Sequence, residues 1–117
     1  MKTEAQYYTK NNGKSPIVKM MGSLSFVDKK NVESKIDKLE DGRFESLFKS
    51  NDVDSIKGEK NLYELRPTNY RIFFSIKKFP GKIIYRLLCM FKKQGDKKGY
   101  NRHIKLAKNN DNDKEWD

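Results

Sequence analysis

Apolar positions along this chain recur first at helical and then at strand spacing. Ile17, Met20, Met21 and Leu24 fall at i, i+3, i+4 and i+7, the spacing of one helix face. Ser15 and Pro16 stand just before them as an N-cap and a proline in the first helical position, where a missing N–H is harmless. A second stripe, Val32, Ile36 and Leu39, runs through charged sequence between Asp28, a capping residue, and Gly42, a stop. The two helices make a hairpin. Ahead of it Tyr7 and Tyr8 mark a strand within Glu4 to Lys10, closed by the turn residues Asn11, Asn12 and Gly13. Phe44, Leu47 and Phe48 add to the core, and Lys49 to Lys60 reads as a polar, exposed connection.

Beyond that connection the spacing changes to that of strands. Leu62 to Arg66 alternates, Pro67 interrupts, and Tyr70 to Ile76 is rich in aromatic and β-branched residues. Phe79 to Lys82 makes a tight turn, and Ile83 to Phe91 is apolar enough for a central strand buried on both faces. Three antiparallel strands in a meander follow, then a charged loop over 94–99 and a short helix in which Tyr100, Ile104 and Ala107 share a face. In that reading Leu87, Cys89 and Phe91 lie on one side of the last strand. The fold class is α+β: an N-terminal strand, a helical hairpin, a three-stranded antiparallel meander and a short C-terminal helix, with the helices on one face of the sheet. Residues 1–108 form one domain, and 109–117 an acidic, disordered tail.

Charge changes this picture more than composition does. The 117 residues carry a net charge of +10. Residues 57–108 alone hold 15 basic and 3 acidic side chains, so the positive field is concentrated in the strand-rich half. A field of that kind favours a polyanion, and RNA or DNA is the first candidate. The single cysteine, Cys89, excludes an internal disulfide, and the N-terminal run has no apolar segment of the kind a secretory signal needs. Nothing approaches the roughly 20 apolar residues of a membrane span. The expected location is the cytoplasm, with no membrane partner.

Absences narrow the chemistry. There is no phosphate-binding glycine loop, no zinc-ligand spacing, and one histidine only, His103. No metal and no cofactor is expected. Arg71 stands on the strand face opposite Tyr70, Ile72 and Phe74, where it is either an anion ligand across an open sheet face or a cross-strand partner of Glu64. Arg66, before Pro67, reaches phosphate or caps the turn. Lys92, Lys93, Lys97 and Lys98 surround the loop before Tyr100, either as a solvated lysine loop or as a set that holds RNA phosphates. Arg86 reads as structural, His103 as a surface residue, Cys89 as a small core group, and Trp116 as an idle tail residue or an anchor.

Three runs then carry a family likeness: GKSPIVKMMGSL, LYELRPTNYRIFFSI, and IIYRLLCMFKK with its lysine-rich loop and short helix. Together, over Glu4 to Lys108, they resemble the RelE/ParE toxin superfamily, in its HigB-like, phage-derived branch. The resemblance implies a ribosome-dependent endoribonuclease that cuts mRNA in the A site and is neutralised by a cognate antitoxin. It places the family arginine of the middle strand on Arg71, the basic residues at the end of the last strand on Lys92 and Lys93, and a tyrosine at the start of the last helix on Tyr100. This chain reads Lys98, Gly99, Tyr100 where the branch usually has Lys-Thr-Pro, and Glu64 where RelE has lysine, so the lysine acid/base pair of RelE does not transfer.

The implied chemistry asks for little. A ribose 2′-hydroxyl attacking its own 3′-phosphate needs a base, an acid and cations around the phosphate. The expected roles are charge stabilisation by Arg71, proton transfer shared by Lys93 and Tyr100, and RNA binding by Arg66, Lys92, Lys97 and Lys98. For Tyr100 or Lys93 to act as a base near pH 7, neighbouring cations must lower a pKa that starts near 10. Two other functions fit the same sequence: a ParE-like inhibitor of DNA gyrase, and a basic nucleic-acid-binding module with no activity.

Overall fold

A computed structural model describes residues 1–93, 95–113 and 116. Its elements are β1 (Lys2–Tyr7), α1 (Pro16–Gly22), α2 (Phe26–Glu40), α3 (Phe44–Lys49), β2 (Val53–Ser55), β3 (Tyr63–Leu65), β4 (Tyr70–Phe79), β5 (Lys82–Lys92) and α4 (Lys97–Asp111). The strands form one sheet in the order β1-β5-β4-β3-β2, antiparallel except that β1 lies parallel to β5. This is the α+β class read from the spacing, with the hairpin, the meander and the last helix in their expected order.

The helices cover both faces, which corrects the one-sided arrangement. Ile17 and Met21 of α1, Val32, Ile36 and Leu39 of α2, and Leu47 of α3 pack on Ile72, Phe74, Tyr85 and Leu87. On the opposite face α4 sets Ala107, with Tyr100 and Ile104, against Phe73, Leu88, Cys89 and Phe91. A sheet rich in apolar residues at consecutive positions, Ile72-Phe73-Phe74, must be covered on both sides. Arg71 therefore faces a covered surface and not an open one.

Other boundaries differ for local reasons. β1 begins two residues earlier than expected and stops at Tyr7. Ser25, not Asp28, caps α2: its hydroxyl accepts from the Asp28 N–H at 3.2 Å, which leaves Asp28 in the acid-favouring first turn. The segment read as an exposed connection contains β2, in which Val53 is buried, and Ile56 just after it is buried too. Phe48, expected in the core, is exposed, although its ring touches that of Phe44.

The most consequential departure is a bulge in β5. Phe73 pairs with Cys89 and Phe74 with Leu87, so Leu88 is an extra residue. It reverses the alternation: Leu87 packs with the hairpin, whereas Cys89 and Phe91 pack with α4. The expectation that Leu87, Cys89 and Phe91 share a face is thus overturned. Burial pushes the Cys89 thiol up to about 12, in keeping with a core group.

The last helix passes the Lys108 boundary and anchors itself beyond it. Asn110 is buried and donates from Nδ2 to the carbonyl of the bulge residue Leu88 at 2.9 Å. Asp111 accepts from the Ser75 hydroxyl at 2.7 Å, and the Trp116 indole N–H donates to the Asn110 carbonyl at 2.6 Å. The Arg86 guanidinium lies 4.7 Å from the centre of the Trp116 ring, so Trp116 docks on its own chain. Residues 114, 115 and 117 of the expected tail lie outside the described residues. Asn110→Ala is expected to cost about 1–3 kcal/mol of stability, because it strands a buried carbonyl; urea denaturation measures this directly.

Candidate active site

Four elements meet at one end of the α4 face. Glu64 comes from β3, Arg71 from β4, Phe91 from the end of β5, Lys93 from just past it, and Tyr100 from the first turns of α4; with Arg66 they line a cleft of about 420 Å³. Register explains the meeting. Glu64 lies opposite Phe73, and Arg71 opposite Phe91, so their side chains leave the sheet on the α4 side. The bulge brings Phe91 and Lys93 to that side as well.

Glu64 is the hub. Its carboxylate is buried and accepts from Arg66 Nε at 2.8 Å and from the Tyr100 hydroxyl at 3.2 Å, with Arg71 Nε 3.8 Å away. Arg66 also reaches Asp54 at 3.2 Å and the Asn51 carbonyl at 3.3 Å. Burial would lower its pKa, but the Glu64 and Asp54 carboxylates outweigh that and raise it.

Arg71 is held from behind by a turn. Its Nη1 donates to the carbonyls of Thr68 at 2.9 Å and Tyr70 at 2.8 Å. Thr68 is in the left-handed region, with φ 53°, a strained choice for a β-branched residue. That conformation turns its carbonyl to the guanidinium. The same turn binds the Lys93 N–H through the Asn69 carbonyl at 2.7 Å. One turn thus sets both cations, and among the described residues Arg71 Nη2 has no hydrogen-bond or ion-pair partner.

Tyr100 does not meet the condition for a base near pH 7. Burial first, then the charge and hydrogen bond of Glu64, push its pKa up to about 12 against the pull of Arg66 and Arg71. The hydroxyl is therefore a proton donor at neutral pH, not a base primed by cations. Because the folded value lies above the ordinary 10, this contributes stability that is complete below pH 10 and is lost as pH rises through about 12. Tyr100→Phe is expected to remove the highest step from the phenolate absorbance titration; an unchanged curve would contradict the assignment.

Of the seven expected site residues, Arg66, Arg71, Lys93 and Tyr100 line the cleft. Lys92, Lys97 and Lys98 are exposed beside it, at the end of β5 and in the first turn of α4. Asp96 caps that helix by accepting from the Gly99 N–H at 2.6 Å. Glu64, read as the alternative cross-strand partner of Arg71, is its ion-pair partner at 3.8 Å; sequence reasoning missed that it also joins Arg66 and Tyr100 at the centre of the site. His103, read as a surface residue, is half-buried and stacks on Phe91 at 3.8 Å with the rings 2° apart. Burial, helped by Arg102, lowers its pKa.

Comparison with known proteins gives a consistent picture. Residues 19–111, which include the whole cleft, match the family described as phage derived protein Gp49-like. The fold is similar to that in the crystal structure of an archaeal RelE-RelB complex from Pyrococcus horikoshii OT3, with a TM-score of 0.52, 18% identity, and 81% of this chain and 97% of that chain covered. The RelB-RelE antitoxin-toxin complex from Methanococcus jannaschii matches with a TM-score of 0.46 and 26% identity, over 64% of this chain and 81% of that one. No curated protein sequence matches. Among the described residues no helix is long and apolar enough to cross a membrane.

Proposed function

Because the chain belongs to the phage-derived Gp49-like family, a branch of the RelE superfamily, we propose that it is the toxin of a toxin–antitoxin pair and cuts messenger RNA in the ribosomal A site. The observation that carries this reading is the convergence of Arg66, Arg71, Lys93 and Tyr100 on one cleft. Such a set suits transesterification of RNA. The 2′-oxygen bonds to the adjacent phosphorus, the bond from phosphorus to the 5′-oxygen breaks, one proton leaves the 2′-hydroxyl and one reaches the 5′-oxygen.

Each residue has a part in that step. Arg71, with an open Nη2, stabilises the charge that builds on the phosphorane oxygens. Tyr100, protonated at neutral pH, donates to the leaving 5′-oxygen, and Lys93 at the mouth shares the proton transfer by holding the water that takes the 2′-hydroxyl proton. Lys92, Lys97 and Lys98 hold the flanking phosphates, and Arg66 adds its charge while bound to Glu64. The antitoxin is a protein that meets this basic chain.

The deciding experiment is primer extension on mRNA from cells induced for this chain, beside a reaction on the same RNA without ribosomes. Cuts within codons that need translation support the proposal. Growth arrest with intact RNA and lost replication indicates gyrase inhibition instead, and neither effect leaves a nucleic-acid-binding module.

A further inference from the structure

Beyond the cleft, α4 carries a ring that the proposed reaction leaves unused. His103 follows Tyr100 by three residues, so the two side chains share one side of the helix. Tyr100 points its hydroxyl to Glu64, whereas His103 lies flat on Phe91, whose ring is in the wall of the cleft. Phe91 itself is buried and held edge-on by Phe73 at 5.0 Å and by Tyr100 at 6.4 Å. The imidazole thus rests on a ring fixed in place by two others.

The stack is imposed by the fold. Ring centres 3.8 Å apart at 2° leave little offset, a geometry that aromatic pairs avoid in favour of offset or edge-on contact. α4 sets it by packing Ile104 and Ala107 on the sheet, while the His103 carbonyl accepts from the Cys89 thiol at 3.7 Å. The other face of the imidazole meets no aromatic ring among the described residues. Its two nitrogens are not buried and make no hydrogen bond with any of those residues. A histidine that served only the core would have its nitrogens satisfied. Burial and the neighbouring Arg102 lower its pKa, which leaves the ring uncharged at neutral pH.

Flat, uncharged and flanked by cations, this ring has the form of a surface for a nucleobase. Arg102 is exposed beside it, and Lys92 and Lys93 stand where the strand beneath it ends. Aromatic faces among cations are how single-stranded nucleic acid is held. Spacing fits too. Three residues along α4 span about 4.5 Å, near the roughly 3.4 Å between stacked nucleotides of one strand, so a phosphate in front of Tyr100 brings a neighbouring base over His103. We propose that His103, backed by Phe91, is the stacking platform for the nucleobase next to the scissile phosphate. His103 does not line the cleft, so it moves no proton and is a positioning residue. The inference rests on the RNA-cutting reading above and adds a base subsite to it.

The test uses the full chain on ribosomes programmed with mRNA in which 2-aminopurine replaces one base at a time around the cut and a 2′-deoxynucleotide blocks the attack. Stacking quenches this probe. At saturating protein, one position next to the cut is expected to be quenched by the parent and by His103→Phe. His103→Leu, which still packs on Phe91 and should keep the parent's Tm, is expected to leave it bright. On unmodified mRNA, His103→Leu should raise the half-saturating concentration about ten-fold with a smaller effect on the maximal rate, and His103→Phe should restore it. Quenching that survives in His103→Leu, or a His103→Phe variant as weak as His103→Leu, overturns the platform. Failure of the parent to cut translated mRNA overturns the nuclease reading and the platform with it; cutting by the parent without quenching that depends on His103 overturns the platform alone.

Discussion

Arg71→Ala is expected to abolish growth arrest and to slow mRNA cleavage by about 10²–10³-fold, the usual loss when one preorganised donor to a developing oxyanion is removed. The protein should stay folded. Arg71 gives the fold its bonds to the Thr68 and Tyr70 carbonyls at the edge of the cleft, and losing them costs about 1 kcal/mol each at most, since water reaches that turn. Activity falls for a different reason. The guanidinium is presented by the Pro67–Asn69 turn with its fork already oriented, so no reorganisation is needed as charge builds. Arg71→Lys keeps the charge and loses the fork, and should recover only part of the rate. Primer extension with purified ribosomes checks both variants; undiminished toxicity of Arg71→Ala would remove Arg71 from the mechanism.

Glu64→Ala is expected to destabilise the protein by about 3 kcal/mol, the low end for removing one partner of a buried ion pair. The low end applies because Arg66 retains Asp54 and the Asn51 carbonyl. Glu64→Gln separates charge from shape. It keeps an acceptor for the Tyr100 hydroxyl, removes the anion that competes with RNA for Arg66 and Arg71, and should cost about 1–2 kcal/mol. RNA should bind more tightly while turnover falls, and the Tyr100 phenol should titrate lower than the parent's value of about 12. A purely structural glutamate would give weaker binding and no such shift. Calorimetry, RNA titration and phenolate absorbance read the three outcomes separately.

Much of the architecture is visible in residue spacing. The Ile17-Met20-Met21-Leu24 and Val32-Ile36-Leu39 stripes and the aromatic strands specify long elements, whose periodic burial is a local property. β2 is not, because the three residues Val53–Ser55 carry no period and gain strand character only from pairing with β3. The bulge at Leu88 is invisible for a related reason: in a run apolar at nearly every position, an extra residue does not disturb the pattern. Yet it decides which face Phe91 and Lys93 take. The cleft was therefore half legible. Its cations and Tyr100 announce themselves by type, whereas Glu64 becomes part of the site through cross-strand register and the placement of α4, both products of tertiary pairing.

The parallel pairing of β1 with β5 also sets an order of events during synthesis. Lys2 and Thr3 pair with Lys82 and Ile83, so the first strand to emerge has no neighbour until the whole hairpin and most of the sheet have followed it. Contacts of such sequence separation form slowly and late. The cleft waits longer still, since Glu64 and Arg71 lack Tyr100 until α4 has left the exit tunnel. A nascent chain therefore holds no assembled cleft until α4 has emerged and packed on the sheet.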